Sequence, residues 1–259
     1  LAKSLDSEIE IPAGATMISK NAELMAAYIK KYHVPADGFV NFAINAHRNA
    51  LTNPNALFHK PLTAEKVLNS REIFAPIRLM DCSPICEGAA AVILAPRADA
   101  CAICPEPVHI LASSVATDRF RIADRPNPLD LAASAISAET AFQRAHITCD
   151  EIDFFELHDA FSIMACLQLE AVGFAEKGQG WRVAADGDIF REGRIPIATM
   201  GGLKARGHPI GASAIYQTCE IVQQLTNRAG ENQLPNPTIA MLQSIGGAAA
   251  TVLTHIFGV

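Results

Sequence analysis

The pattern of apolar and polar positions along these 259 residues changes near residue 106. Before that point, "SKNAELMAAYIKKYH" (19–33) carries Leu24, Tyr28 and Ile29 at helical spacing behind Ser19, which reads as the cap of a first helix. "ADGFVNFAINAHRNALTNP" (36–54) predicts a second helix stopped by Pro54, and "TAEKVLNSRE" (63–72) a short third. Beyond it the pattern alternates: strand 107–117, helix 131–146, strand 152–157, helix 160–173, a polar hairpin-like stretch 180–194, helix 211–228, and final strands 237–244 and 249–257. The 160–173 helix is apolar on nearly every face, which predicts burial. Strands alternating with helices predict an α/β layered sheet whose last two strands are antiparallel or mixed.

Two stretches are alike. "CEGAAAVILAP" (86–96) and "IGGAAATVLTHI" (245–256) each place glycine and three alanines before a β-branched apolar run. A small-residue turn permits close backbone approach, and the run after it reads as a buried strand. The pair is either two unrelated buried strands or the ends of a duplicated unit, with one copy complete in 97–259.

Half of the residues are hydrophobic, enough to bury a sizeable core as one large domain or two small ones. A formal charge of −6 with scattered Lys and Arg argues against nucleic acid or a membrane surface as partner. The apolar runs are too short to span a bilayer, and "LAKSLDSEIEIP" lacks the apolar stretch of a signal peptide, so a cytoplasmic or organelle-matrix setting is expected. Seven cysteines, most between apolar neighbours, imply reduced thiols rather than a disulfide framework. Cys101 and Cys104 form a lone C-x-x-C without a second pair; a surface connection is expected ahead of zinc binding or redox cycling, and no metal site is predicted.

Candidate chemistry concentrates in three loops. His158-Asp159 follows an extended apolar run and precedes a helix, the position where α/β sheets place ligands. Asp159 is expected to cap that helix, while His158 reads equally as a site residue or a satisfied edge histidine. "GGLKARGHPIGAS" (201–213) sets His208 and Pro209 among Gly201, Gly202, Gly207 and Gly211, before a helix with Ala212, Ile215, Cys219 and Val222 as its buried stripe. Phosphate-loop and dinucleotide fingerprints are absent, so His208 is expected to donate to a carbonyl oxygen or move a proton. In "SIGGAAATVLTHI" (244–256), Gly246 and Gly247 form a tight turn that is either close packing or a source of backbone N–H donors. The three loops are expected to converge on one pocket.

Taken in order, "HDAF" (158–161), "GGLKARGHP" (201–209) and "SIGGAAATVLTHI" (244–256) resemble the C-terminal half of the thiolases, in particular the sterol-carrier-protein-2 type and its bacterial and archaeal relatives. The stretch 45–94, from "NAHRNALTNP" to "CEGAAAVIL", is similar to the segment joining that family's loop domain to its N-terminal half. The resemblance implies a duplicated α/β layered fold, with a loop region over the substrate at 1–80, the last strand of the N-terminal half within 81–105, and a C-terminal half at 106–259. It implies Claisen condensation or thiolytic cleavage of a 3-ketoacyl-CoA, with a coenzyme A thioester as substrate and no bound cofactor. By position, His208 matches the histidine that helps activate the nucleophile and donates to the thioester oxygen. His158 matches a residue of that oxyanion hole, and Gly246 the glycine of a second hole, with Ser244 two residues before it. Ser83 matches a serine at the pantetheine arm, Ala160 and Phe161 match residues of its tunnel, and Gly202 and Gly247 are the remaining expected substrate contacts.

This chain departs from the family in two ways. The family's nucleophilic cysteine falls before Leu1, and none of the seven cysteines stands in its context, Cys82 and Cys86 included. Where many thiolases carry an acid/base cysteine, this chain has Gln243-Ser244, and a serine hydroxyl cannot shuttle protons near neutrality without a base beside it. A coenzyme A ester aldolase or retro-Claisen lyase, and a non-catalytic acyl-CoA-binding subunit, therefore stand beside the thiolase reading. The likeness further implies a homo-oligomer, dimer or larger, a role in lipid metabolism and a zinc-ribbon and OB-fold partner protein; a peroxisomal or mitochondrial matrix location applies to a eukaryotic source.

Overall fold

The computed structural model describes residues 4–259; the first three residues of the predicted loop region lie outside the described residues. Helix α1 (Met17–Tyr32) starts two residues before its predicted bound, because Thr16 and not Ser19 is its cap. Ser19 N–H donates to Thr16 Oγ1 at 3.0 Å and Thr16 N–H to Ser19 Oγ at 2.9 Å, the reciprocal bonds of a capping box. Leu24 and Tyr28 are buried, as their spacing predicts. Next come α2 (Val40–Ala50) and the short α3 (Ala64–Leu68). Asn45 and Asn49 on α2, and Asn53 just beyond it, donate to the carbonyls of Ile197, Ala198 and Met200 at 2.9, 3.0 and 2.7 Å. These bonds satisfy the backbone that leads into the 201–213 loop and so fix its entry.

After a two-strand ribbon, β1 (Glu72–Phe74) and β2 (Ile77–Arg78), the chain enters the first copy of the repeated motif. Residues 86–96, expected as a buried strand, are irregular and join no ladder among the described residues, and Ile93 is 87% exposed. A run of β-branched residues becomes a strand only when a neighbouring strand takes its N–H and C=O groups, and among the described residues no strand lies beside this one, whose Ala91 O accepts only from Cys219 Sγ at 3.6 Å. The run ends in α4 (Arg97–Ile103), which carries Cys101 on the surface; all seven cysteines are free thiols.

A mixed four-stranded sheet organises the remainder, in the order β3 (His109–Thr117), β6 (Thr251–Gly258), β5 (Ile239–Gly246), β4 (Phe154–Glu156). β6 runs antiparallel to β3 and β5, and β4 runs parallel to β5, so the second motif copy does form a strand, paired on both sides. Helix α5 (Ala132–Ala145) covers β3 and β6 with a stripe of small residues, Ala133, Ser134, Ser137, Ala138 and Ala141. Gln243 points to this face: its Nε2 donates to Thr254 Oγ1 at 3.0 Å and to Ser134 O at 3.2 Å. Successive strand residues alternate faces, so Leu242 and Ser244 point the other way.

Helix α6 (Ser162–Val172) packs against α1, α2 and α5, and Ile163, Leu167 and Leu169 are essentially inaccessible. Each contributes roughly 1.5–3 kcal/mol by leaving water. The 180–194 stretch, expected as a hairpin, starts instead with the short α7 (Gly180–Ala185), because one helical turn buries Val183 and Ala184 against α2 and α6. Helix α8 (Ser213–Leu225) also differs from expectation. Ala212, Ile215, Cys219 and Val222 are only half-buried, and the buried face is Gln217, Glu220, Ile221, Gln224 and Leu225. A polar face goes inward because its groups find partners there: Gln217 Nε2 donates to Leu157 O at 2.7 Å and Gln224 Nε2 to Asn232 O at 2.9 Å.

Candidate active site

After β4 the chain leaves the sheet as Leu157-His158-Asp159, and Gln168 of α6 holds both backbone groups of His158. Gln168 Oε1 accepts from His158 N–H at 3.0 Å, and Gln168 Nε2 donates to His158 O at 2.8 Å. Asp159 does not cap α6. The cap position is Phe161, without a side-chain bond, and Asp159, 2% exposed, accepts from Leu203 N–H at 2.7 Å. The buried π-helical turn Gly202–Arg206 presents N–H groups that need an acceptor, and this carboxylate meets one of them. Asp159 thus ties one histidine loop to the other.

His208 follows that turn through Gly207, whose φ of +117° is a conformation that few L side chains adopt. His208 N–H donates to Pro84 O at 3.2 Å, and its ring Nδ1 lies 2.7 Å from the hydroxyl of Ser213, the first residue of α8. The rings of His158 and His208 stand nearly perpendicular, at 84°, with centroids 5.2 Å apart. Both border a cavity of about 250 Å³ whose wall includes Ser83, Ala160, Phe161, Ser244, Gly246 and Gly247. Of the candidate site residues, only Gly202 stands outside this wall: it packs beneath the loop, against Asp159.

The remaining wall is largely apolar. Met17 and Ile18 come from α1, Met164 from α6, Ile210 from the loop that bears His208, and Ile245 from the end of β5. The α1 contribution has no local mark in the sequence, where Met17 and Ile18 are ordinary helix residues. Ser213 is marked only by its place five residues after His208.

Burial pushes the pKa of His158 down to about 3, helped by His208, and that of His208 to about 4, helped by the Arg206 guanidinium. Both imidazoles are therefore neutral at physiological pH, each with one N–H donor and one acceptor nitrogen. Two neutral donors over one cavity suit an oxygen that gains negative charge. Cys82 also borders the cavity, but its Sγ faces Arg78 O at 3.6 Å and burial pushes its pKa up, so it remains a protonated thiol.

A family model described as thiolase C-terminal domain-like matches residues 114–259. The acetyl-CoA acetyltransferase of Methanothermobacter thermautotrophicus is 40% identical over 99% of this chain and 67% of its own length. The chain belongs to the thiolase family. Its enzyme class is that of the thiolase-like acyltransferases. Sterol carrier protein 2 of Homo sapiens is 31% identical over 88% of this thiolase chain and 42% of its own length. Among solved structures, the Ltp2-ChsH2(DUF35) aldolase shares the fold with a TM-score of 0.79 at 20% identity, covering 94% of this chain and 63% of that one. This thiolase chain spans about two thirds of the acetyltransferases it matches.

Proposed function

We propose that this chain supplies the oxyanion-binding side of an acyl-CoA acyltransferase site. The reading rests on His158 and His208, two neutral imidazoles 5.2 Å apart over one cavity. In the condensing direction a cysteine thiolate forms a C–S bond to the carbonyl carbon of one acyl-CoA and expels coenzyme A thiolate. The enolate of a second acyl-CoA then forms the C–C bond and releases the cysteine. Both attacks place negative charge on a carbonyl oxygen, and His208 and His158 donate to it. Gly246 N–H, beside Gly247, is assigned to a second such oxygen, Ser244 to a polar contact with the substrate, and Ser83, Ala160 and Phe161 to the pantetheine arm.

A pKa near 4 suits donation by His208, and the nucleophilic cysteine is assigned to sequence that precedes Leu1 in the relatives. We place residues 1–80 as the region over the substrate, consistent with Met17 and Ile18 at the cavity wall, 81–105 as the end of an N-terminal half, and 106–259 as the C-terminal half. Assembly as a dimer or larger, a part in lipid metabolism and a zinc-ribbon and OB-fold partner belong to the same proposal. So does a cytoplasmic setting; among the described residues no helix is long and apolar enough to cross a membrane. Ser244 in place of a thiol favours a second reading, an aldolase or retro-Claisen lyase on a coenzyme A ester, which would use the same oxyanion site.

The deciding experiment is acetoacetyl-CoA thiolysis by the full-length protein and its His208→Ala variant. Thiolysis by the parent, reduced about a hundredfold or more in the variant with coenzyme A affinity within about twofold, is the expected result. Cleavage of β-hydroxyacyl-CoA alone would establish the aldolase. Binding without turnover, unchanged in the variant, would overturn both enzymatic readings.

A further inference from the structure

Beneath the cavity lies a charged cluster that the proposed reaction does not use. Arg206 ends the buried turn, 3% exposed, and its Nε lies 3.0 Å from Oε1 of Glu220, which is 5% exposed on α8. The guanidinium also stands 4.9 Å from the Tyr216 ring centroid. The ion pair is close without hydrogen-bond alignment: the three guanidinium nitrogens and Glu220 Oε2 have no hydrogen-bond partner among the described residues. Glu156 at the end of β4 is fully buried, and its Oε1 accepts from Thr199 N–H at 2.8 Å and from Thr199 Oγ1 at 2.7 Å. Asp159, Lys204 and Asp81 are further charged groups buried in the adjoining loops.

The spacing of this cluster matches that of the site. Glu156 precedes His158 by two residues, Arg206 precedes His208 by two, and Glu220 follows Ser213 by seven, which is two helical turns along one face. The histidine turn and α8 are thus joined at two points, His208 Nδ1 to Ser213 Oγ and Arg206 to Glu220, with Gly207 between the two turn residues. Between those points Gln217 bonds α8 to Leu157 O, next to His158.

We propose that Arg206 and Glu220 are positioning residues, whose buried ion pair clamps the His208 turn onto the helix that bears Ser213 and so aims the His208 imidazole into the cavity. Its kinetic consequence rests on the oxyanion role proposed for His208; its structural consequence does not. Removing one member of a buried pair leaves the other charge uncompensated, whereas an apolar pair of similar volume can preserve the fold. Glu156 adds a pH signature. Burial and the neighbouring Glu220 push its carboxyl up to about 8, and burial, opposed by Arg206, pushes that of Glu220 up to about 7, so the two carboxyls lose their protons in turn across neutrality. Rising pH therefore first completes the Arg206–Glu220 pair and then, as Glu156 ionises, adds a second anion that competes for Arg206.

The test uses Glu220→Gln, Arg206→Lys and the double variant Arg206→Met/Glu220→Met in the full-length protein. The His208 imidazole nitrogen resonances are recorded without substrate, and kcat and KM with acetoacetyl-CoA. In Glu220→Gln the Nδ1 signal is expected to lose the signature of its Ser213 hydrogen bond, with kcat down about ten- to a hundredfold and KM within about twofold. Arg206→Lys, which keeps the charge, is expected to fall between parent and Glu220→Gln. The double variant is expected to fold with the His208 signal displaced, so the clamp is readable even where Glu220→Gln does not fold. A decline in kcat on the alkaline side, absent from Glu156→Gln, is expected in the parent. Unchanged His208 resonances in folded variants, or a rise in KM at constant kcat, would overturn the clamp. A parent inactive on acetoacetyl-CoA would refute the proposed reaction alone, and the resonances would still decide the clamp.

Discussion

Gly202→Ala separates a packing role from substrate contact at the one candidate residue that stands off the cavity wall. Gly202 has φ +52°, and an alanine held there costs about 1–2 kcal/mol from the left-handed backbone. The added Cβ would meet Asp159 Oδ2 at 2.5 Å and Ala198 Cβ at 2.7 Å. Neither neighbour yields easily. Ala198 is itself left-handed, at φ +49°, with its carbonyl held by Asn49, and Asp159 is a buried acceptor for Leu203 N–H. Relieving the overlap costs about 1–3 kcal/mol more, as overpacking does in close-packed interiors. The expected loss is therefore about 2–5 kcal/mol, read as a lowered urea midpoint at constant slope, with coenzyme A affinity of the folded protein unchanged. A loss under about 0.5 kcal/mol, the level of a neutral surface change, accompanied by weaker coenzyme A binding would refute the packing account and put Gly202 at the substrate.

Ser213→Ala, which leaves His208 Nδ1 without its 2.7 Å partner, should lower kcat about tenfold in steady-state thiolysis with KM little changed; an unaltered kcat would show that Ser213 does not orient the ring. The two site histidines should stay neutral through the ordinary histidine range and take up protons only near pH 4 and below. Because their folded pKa values lie below the unfolded value, the stability they lend is complete above 6.5 and is lost as pH falls through about 4 and 3. Nuclear magnetic resonance titration of the imidazoles checks this, and a midpoint near 6.5 for either would contradict it.

What could be read from the chain follows the distance over which each feature is determined. The period change near residue 106 and the all-round apolar surface of α6 are local, and both reappear in the structure with bounds displaced by two or three residues at most. The three loops were legible for the same reason, since glycines beside a histidine are unusual in themselves and the sheet brings His158, His208 and Gly246 to one cavity. Residues 86–96 have the same small-residue and β-branched signature as β6 but, among the described residues, no neighbouring strand to bond, so one signature yields a strand in one place and an exposed irregular run in the other. Asp159 looked like a cap because caps are local, yet its partner Leu203 lies 44 residues away. Helix α8 shows the sharpest reversal: its apolar stripe is half-buried, and Gln217 and Glu220 face inward because Leu157 O and Arg206 await them. Polar groups are solvated by default, and only a tertiary partner reverses that default. Arg206 and Glu220 therefore read as surface charge in the sequence. What distinguishes them is register: each lies on the element of a site residue, two positions from His208 and two helical turns from Ser213. A charge placed so close to a site histidine has a short lever on it, and burial makes that lever stiff.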